Sequence, residues 1–252
     1  MVTQPKPESH RGSRRQPEAS RNAILNAALA EFAQEGLAGA RVDAIAEAAG
    51  VNKALLYYYF RDKDTLYAAT LDRFFAPLHD RIMVVLQEPG TAGERFLQYV
   101  REHFDAIAES PHYARIFMGE LMSASRGGTT HLDRIAAKYM KPTGMRVIRL
   151  IEEGIKAGEF RKVNPVQALP SAIGAIVHYF LTAPLRERFL RDEPQLAMPS
   201  IEERRAAVLD FIAAALFADR NAGIRLAAKI AESDSQQKPP SKPASRTQGK
   251  RK

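Results

Sequence analysis

The chain has 252 residues, of which 45% are hydrophobic and 26% are charged, the composition of a soluble globular protein with a sizeable core. It contains no cysteine, which excludes disulfides, thiolate zinc sites, cysteine nucleophiles and iron–sulfur clusters held by cysteine. The net charge of +8 lies wholly in residues 1–22 and 233–252, because acidic and basic side chains balance over residues 23–232.

Both ends of the chain are rich in Pro, Ser, Gln and basic residues. We therefore predict a disordered basic arm at 1–17 and a disordered basic tail at 233–252. Either could add general affinity for DNA by releasing counterions from its phosphates. The first twenty residues lack the apolar segment of a secretory signal, so we expect the protein in the cytoplasm.

Between the two ends, apolar residues recur at three- and four-residue spacing, which predicts helices along almost the whole chain. No segment alternates in the manner of a strand, so we predict an all-α fold. The residues best suited to cap helices are Asp62, Asn164 and the first residues of two capping boxes, Thr91–Glu94 and Ser200–Glu203. The predicted helices cover 21–35, 42–49, 53–59, 63–87, 92–109, 111–122, 130–157 (kinked at Pro142), 165–183 and 201–217.

Residues 163–185 contain no Asp, Glu, Lys or Arg and are numerous enough to cross a bilayer. Polar residues and prolines interrupt this segment, so we predict a buried helix and no membrane span. The interrupting residues are Asn164, Pro165, Gln167, Pro170, Ser171, His178, Thr182 and Pro184.

Residues 42–60 have the pattern of a helix-turn-helix motif. An amphipathic helix ends at Gly50, which can adopt the left-handed conformation of a sharp turn, and Val51 can pack between the two helices. Asn52 is placed to cap a second, shorter helix. A helix this short is not stable alone, so its neighbours must hold it, and recognition helices are presented to the major groove of DNA in this way.

Residues 21–71 resemble the N-terminal domain of TetR-type transcriptional regulators. The matching stretches are ILNAALAEFAQEG at 24–36, DAIAEAAGV at 43–51, LYYYF at 56–60 and KDTLY at 63–67. The resemblance implies a three-helix DNA-binding domain at 18–78, with its helix-turn-helix at 41–60. It also implies a helical domain for ligand binding and dimerisation at 79–232.

The resemblance implies particular DNA contacts. Lys53 would donate to a guanine, and Lys63, at the start of the next helix, would bind a phosphate. Arg41 stands where the family usually has a hydroxyl that contacts phosphate, and Leu55 replaces a commonly polar residue and would meet a thymine methyl instead. Of the first two tyrosines, one is expected to be packed and the other to reach a phosphate. The full set of expected DNA-contacting residues is Arg41, Asn52, Lys53, Ala54, Leu55, Tyr57, Tyr58 and Lys63.

The charge of this segment is unusual for a DNA-binding domain. Residues 23–80 contain eight acidic and five basic side chains. We expect basic residues nearer the N-terminus to offset this charge by lying close to phosphates or in the minor groove. They are Arg11, Arg14, Arg15 and Arg21.

The resemblance further implies a homodimer and a cavity for a small molecule. The dimer interface corresponds to helices near 165–183 and 201–217, and residues 103–122 and 131–155 would form the cavity wall. Aromatic and methionine side chains suit a small apolar ligand, although at helical spacing they also form ordinary cores. The candidate lining residues are Phe104, Tyr113, Phe117, Met118, Met122, Tyr139, Met140 and Met145.

The sequence gives little support for a metal site or an enzyme active site. Four histidines of the helical region, His103, His112, His131 and His178, are not spaced with carboxylates as metal ligands are, so we predict no metal and no cofactor. There is no Gly-rich phosphate loop, nucleophile elbow or HExxH motif, so we do not expect an enzyme.

We therefore predict a sequence-specific DNA-binding regulator, a ligand-released repressor that binds a palindromic operator in double-stranded DNA as a homodimer. The alternative is a DNA-architectural protein with little sequence specificity and no ligand control. A helical protein-interaction module would show no DNA affinity above that of its basic ends.

Overall fold

The computed structural model describes residues 15–233 except 111, 126, 128, 129, 192 and 194–197. These residues form twelve α-helices and one π-helical turn, with no strand beyond a single bridge between Phe160 and Phe217, and the predicted all-α fold is confirmed. The elements are α1 Arg15–Gly39, α2 Val42–Ala48, α3 Lys53–Tyr59, α4 Lys63–Val85, α5 Ala92–Ala108, α6 Tyr113–Ser125, α7 Thr130–Ile135, the π-helical turn Ala136–Met140, α8 Lys141–Lys156, α9 Pro165–Leu181, α10 Ala183–Leu190, α11 Ile201–Leu216 and α12 Arg220–Glu232.

The predicted helix caps are confirmed. Both capping boxes form, since the Thr91 and Ser200 hydroxyls each accept a hydrogen bond from the backbone N–H three residues on, and the glutamate there accepts one in return. Asp62 caps α4 by accepting from the Thr65 N–H, and Asn164 caps α9 by accepting from the Val166 N–H. These contacts pair the first N–H groups of each helix, which have no partner within the helix.

The N-terminal boundary needs correction. Helix α1 begins at Arg15, so residues 15–17 are helical rather than part of a disordered arm. Arg21 belongs to this helix too, and its guanidinium lies 5.4 Å from the centre of the Phe60 ring. Gly36, with φ 67° and ψ 177°, breaks the helix where its end was predicted, and a last helical turn follows to Gly39. The rest of the basic arm and the tail from 234 lie outside the described residues.

The predicted helix 130–157 is divided by its π-helical turn. The irregularity covers Ala136–Met140, immediately before α8, whose second residue is Pro142. Proline has no N–H to continue the hydrogen-bond ladder and its ring crowds the preceding turn, so the predicted interruption lies close to where it was expected.

Two helices were missed by the sequence pattern. Helix α10 is only eight residues long, and its apolar residues are too few to define a helical period. Helix α12 follows the last predicted helix, inside the helical domain predicted to extend to residue 232, and it packs on α11 and α5 through Gly223, Ala227 and Ile230. Two of these three residues are too small to mark a hydrophobic face clearly.

Helix α5 lies in the middle of the larger, C-terminal part, where it contacts α4, α8, α9, α11 and α12. Helices α1, α2 and α3 pack together at the other end, and α1 also packs on α4. One hydrophobic core runs through both parts. Helix α4 is continuous from Lys63 to Val85, so the domain boundary predicted at 78/79 falls inside a helix that joins the two parts.

No single helix among the described residues has the length and apolar character needed to cross a membrane. Helices α9 and α10 reach that length and composition only as a pair, and they are bent by 59° relative to each other.

Candidate DNA-binding surface and ligand cavity

Helix α3 is held by two buried residues and presents one exposed face. Leu56 and Phe60 are 0% and 2% exposed, and they anchor the helix against α1 and α2. The exposed face, which we call the α3 face, consists of Lys53, Ala54, Tyr57 and Tyr58. Spacing of one, four and five residues puts these side chains on one side of a helix.

The turn before α3 has the predicted geometry. Gly50 has φ 66°, a conformation that side chains with a Cβ rarely adopt. Val51 is partly buried and packs against the core. The Asn52 side-chain oxygen accepts a hydrogen bond of 2.7 Å from the Leu55 N–H, which caps α3. The direction of α3 is therefore set by the turn as well as by the core.

The tyrosines of α3 are arranged differently from the prediction. Tyr57 and Tyr58 are 42% and 80% exposed, so neither is the packed member of the pair. Tyr59 is partly buried against the core instead. Leu55 is also partly buried and lies outside the α3 face. The reason is helical geometry, since Leu56 fixes which side of this seven-residue helix faces inward.

Lys53 pairs with an acidic residue of α2. Its Nζ lies 2.9 Å from Oδ1 of Asp43, with both side chains largely exposed. The hydrogen bond and the charge of Asp43 raise the pKa of Lys53. An exposed ion pair is weak because water and salt screen it, so Lys53 can exchange this carboxylate for another acceptor.

Lys63 joins the first turn of α4 to the end of α1. Its ammonium donates to the backbone carbonyls of Ala38 and Ala40, each at 3.1 Å. Two of the three N–H groups are thereby used within the protein. Arg41 is exposed at the N-cap position of α2, where its side chain makes no capping bond and its backbone N–H donates to Glu31.

A cavity of about 210 Å³ lies between α4, α5, α6, the π-helical turn, α8 and α9. Four of the predicted candidates line it, namely Tyr113, Phe117, Tyr139 and Met140. The other lining residues are Phe75, Leu78, His79, Ile82, Tyr99, His103, Thr143, Gly144, Leu169, Ile173 and Val177.

The other four candidates do not line this cavity. Phe104 is fully buried against Phe180, with ring centres 5.1 Å apart, on another side of α5. Met118 and Met122 are exposed on the solvent face of α6, and Met145 is exposed on α8. Composition alone could not separate the inner from the outer side of these helices.

The α4 wall was missed, although the sequence contains a signal for it. Phe75, Leu78, His79 and Ile82 recur at spacings of three, four and seven residues, which places them on one stripe of α4. Their stripe faces the cavity in the half of α4 that lies beyond the N-terminal part.

The cavity is lined mainly by aromatic and aliphatic side chains and holds a few polar groups. The His79 Nδ1 lies 2.8 Å from the Thr143 hydroxyl oxygen. Both ring nitrogens of His103 are buried and have no hydrogen-bond partner among the described residues. Burial lowers the pKa of His103 to about 4 and raises that of Tyr113 to about 12. Both side chains are therefore uncharged near pH 7.

The cavity wall is hydrogen-bonded to α4 outside the cavity. The Tyr139 hydroxyl donates to Oδ1 of Asp72 at 2.7 Å. Arg134 donates to both oxygens of the same carboxylate at 2.8 Å, and Lys138 donates to it at 3.1 Å. Asp72 has a lowered pKa, because these hydrogen bonds outweigh the desolvation that raises it. The π-helical turn is thus fastened to the helix that leads into the DNA-binding end.

An apolar surface follows α9, α10 and α11. A groove of about 400 Å³ between α9 and α11 includes Phe211, which is 65% exposed. We call the exposed apolar residues of α9, α10, α11 and the segment before α11 the α9–α11 surface, and they are Val166, Leu185, Phe189, Met198, Ile201 and Phe211. Gly174 on α9 has open space where a Cβ would stand.

Three of the four histidines lie in separate parts of the structure. His131 pairs with Asp64 at 2.9 Å, His103 lines the cavity, and His178 is exposed on α9. Among the described residues, no group of three or more His, Asp or Glu is arranged to hold a metal ion.

Family profiles match both parts of the chain. Residues 24–70 match the bacterial regulatory proteins of the tetR family, and residues 90–222 match the tetracyclin repressor-like C-terminal domain.

Alignments with named relatives cover most of the chain. It is 31% identical over 183 residues to the HTH-type transcriptional regulator RutR of Escherichia coli K12, covering 69% of this chain and 82% of RutR. It is 30% identical over 176 residues to the HTH-type transcriptional repressor SCO4008 of Streptomyces coelicolor, covering 70% of this chain and 85% of that repressor.

Solved structures share the fold. The ketosteroid transcriptional regulator KstR2 of Mycobacterium tuberculosis is 18% identical, with a TM-score of 0.63 over 79% of this chain and 95% of that one. A TetR/AcrR regulator of Thermobifida fusca is 22% identical, with a TM-score of 0.56 over 76% of this chain and 95% of that one. The two profiles, the relatives and the helix-turn-helix geometry agree, and the chain belongs to the TetR family of helix-turn-helix transcriptional regulators.

Proposed function

We propose that this regulator is a repressor, which binds a palindromic operator as a homodimer and leaves it when a small molecule occupies the cavity described above. The observation that carries the proposal is the α3 face, which is presented by a buried anchor and a capped turn within the residues that match the tetR family profile. Dimeric action on operators and response to small molecules are general properties of the family.

Four residues on or near the α3 face have a role in this proposal. Lys53 would leave Asp43 and donate to a base edge in the major groove. Tyr58, the most exposed tyrosine, would reach a phosphate with its hydroxyl. Arg41 and the remaining N–H of Lys63 would bind phosphates on either side of α3.

The α9–α11 surface supports the proposed dimer. A large exposed phenylalanine beside a groove is the kind of anchor on which interfaces depend. The open space at Gly174 would let a helix of the second subunit approach closely.

The proposed release mechanism is a shift between two arrangements of α4. A ligand would contact Tyr139 and the α4 stripe of the cavity, and the bond from Tyr139 to Asp72 would carry a change in the wall to α4. Movement of α4 would alter the separation of the two α3 helices in the dimer. DNA affinity would fall only by the ratio of the ligand's affinities for the two arrangements.

The test is binding to the DNA immediately upstream of the coding sequence, compared with scrambled DNA at physiological salt. The full chain is compared with a chain lacking residues 1–14 and 234–252. If the protein is a repressor, the chain without these ends should still bind an operator roughly a thousandfold more tightly than scrambled DNA.

The architectural alternative gives the opposite pattern on the whole genome. An architectural protein would discriminate only weakly between DNA sequences at every site. Its DNA affinity and the salt dependence of that affinity would be lost when the two ends are removed, and this result would contradict the repressor proposal. A genome-wide search for bound sites separates that outcome from an operator that lies elsewhere.

A further inference from the structure

We propose that the cavity binds a small uncharged aromatic molecule with one hydrogen-bonding group, and that this group pairs with His103. The inference deepens the proposed repressor function and rests on it for its regulatory meaning. Four properties of the cavity support it, namely its size, its charge, its rings and the state of His103.

The size of the cavity limits the ligand to about one substituted ring. Its volume is about 210 Å³. An engineered protein cavity of about 150 Å³ holds one benzene molecule, whereas pockets for drug-sized ligands measure about 300–1,000 Å³. A benzene ring with one or two substituents therefore fills this space.

The lining disfavours a charged ligand. Among the described residues that line the cavity, none is Asp, Glu, Lys or Arg, and His103 is neutral because burial lowers its pKa. An ion placed here would lose its water without gaining a counter-ion, which is strongly unfavourable.

The rings of the lining favour an aromatic partner. Phe75, Tyr113 and Phe117 form a continuous series, with Tyr113 stacked on Phe117 at 5.8 Å and 6.4 Å from Phe75. Tyr139 is stacked on Phe75, also at 6.4 Å. Aromatic rings at such separations attract one another in edge-to-face and offset arrangements.

His103 explains why the cavity is not simply apolar. Its two ring nitrogens are buried and unpaired among the described residues, and its ring meets Tyr99 edge to face at 5.8 Å. A neutral imidazole has one N–H that donates and one nitrogen that accepts. Leaving both unpaired destabilises the protein, so a side chain of this kind is better explained by a partner that it meets in function.

The test uses three probes of nearly equal shape. They are para-cresol, para-xylene, in which a methyl replaces the hydroxyl, and para-toluate, in which a carboxylate replaces it. Dissociation constants are measured on the full-length protein without DNA, by titration followed by NMR of the ligand. We expect para-cresol to bind about tenfold more tightly than para-xylene, and para-toluate to bind more weakly than both.

The role of His103 is tested by substitution. In His103→Leu the preference should reverse in favour of para-xylene, because the hydroxyl would then lose water without gaining a partner. Binding of para-xylene also shows that the cavity of the variant is intact. His103→Gln, which can still donate and accept, should keep part of the preference for para-cresol. The same change outside the cavity, His112→Leu, should leave the preference unchanged.

The result that overturns the inference is an unchanged preference for para-cresol in His103→Leu. Tighter binding of para-toluate, or no binding of any probe to the unmodified protein, overturns it as well. None of these measurements involves DNA. A protein that fails to bind an operator but shows the His103-dependent preference would refute the proposed function and keep this inference, and the reverse pattern would refute the inference alone.

Discussion

At the scale of single residues, charged and polar groups in this protein are held in arrangements that another molecule can change. Lys53 is paired with Asp43 across the exposed side of the helix-turn-helix, and His103 has no hydrogen-bond partner among the described residues. The first contact is weak because it is exposed, and the second group is unfavourable because it is buried. Each can therefore be tested by one substitution.

Asp43→Asn is expected to strengthen DNA binding. The change removes a negative charge beside the proposed DNA-contacting face and releases Lys53 from its ion pair. Affinity for operator and random DNA should rise by about two- to tenfold at low salt and by less at high salt, as measured by fluorescence anisotropy. Glu47→Gln removes one charge from the same helix and serves as the control. Equal effects of both changes would mean that the Lys53–Asp43 ion pair does not limit DNA affinity.

His103→Leu is expected to raise the free energy of unfolding by about 1–3 kcal/mol at pH 7, because it removes two unpaired buried polar atoms. Its advantage over the unmodified protein should grow as the pH falls from about 6.5 towards 4. In that range the unfolded chain takes up a proton on His103, whose pKa is about 4 in the folded state, so acid favours unfolding. Urea unfolding at several pH values measures both effects, and a difference that stays constant with pH would contradict the second.

At the scale of helices, one phenylalanine ring of the C-terminal part packs against a glycine of α5 and a glycine of α12. Phe217 follows α11, and its ring lies so close to α5 and α12 that a Cβ at Gly93 or Gly223 would stand 2.7 or 2.6 Å from it. The Phe160 ring packs edge to face on the same side chain, with ring centres 5.1 Å apart. Gly223 therefore lets α12 pack closely against the Phe217 ring.

Gly223→Ala is expected to destabilise the protein by about 1–3 kcal/mol, since the added methyl must displace the Phe217 ring from a packed position. Gly119→Ala in α6, where nothing lies within 4 Å of the new Cβ, is the matched control and should change stability little or raise it by up to about 1 kcal/mol. Thermal and urea unfolding of both variants give the comparison. If the Gly223→Ala variant is as stable as the control, then α5, α11 and α12 can separate slightly without loss of stability.

At the scale of the whole molecule, three surfaces meet on one continuous core. The α3 face, the cavity and the α9–α11 surface are linked by α4 and α5, which pack against each other. The cavity lies against the C-terminal half of α4, while the N-terminal turn of the same helix is fastened by Lys63 to the end of α1. A single helix with one end in each part is the physical basis for the proposed response to a ligand.

Phe211→Glu is expected to dissociate the proposed dimer. A charge at the centre of an apolar interface loses its water without a partner, so dimerisation should weaken by at least about a hundredfold. Analytical ultracentrifugation measures the change, and circular dichroism confirms that the variant is folded. Operator affinity should fall with it, because one subunit contacts only one half-site. Gln87→Glu adds the same charge at an exposed position just after α4, outside this surface, and serves as the control. A Phe211→Glu variant that stays dimeric places the interface elsewhere.

Local sequence signals determined most of the helices, their caps and the helix-turn-helix of this protein, although α10 and α12 were missed. Such features depend on residues a few positions apart, as in the Thr91 and Ser200 capping boxes and the turn at Gly50, so they could be predicted without the fold. Only the tertiary structure decided which side of each helix is buried. It placed Tyr113 and Tyr139 in a cavity wall and Met118 and Met122 in solvent, and it left His103 unpaired inside. These outcomes depend on helices distant in the chain, and residue type alone carries no information about which of them will meet.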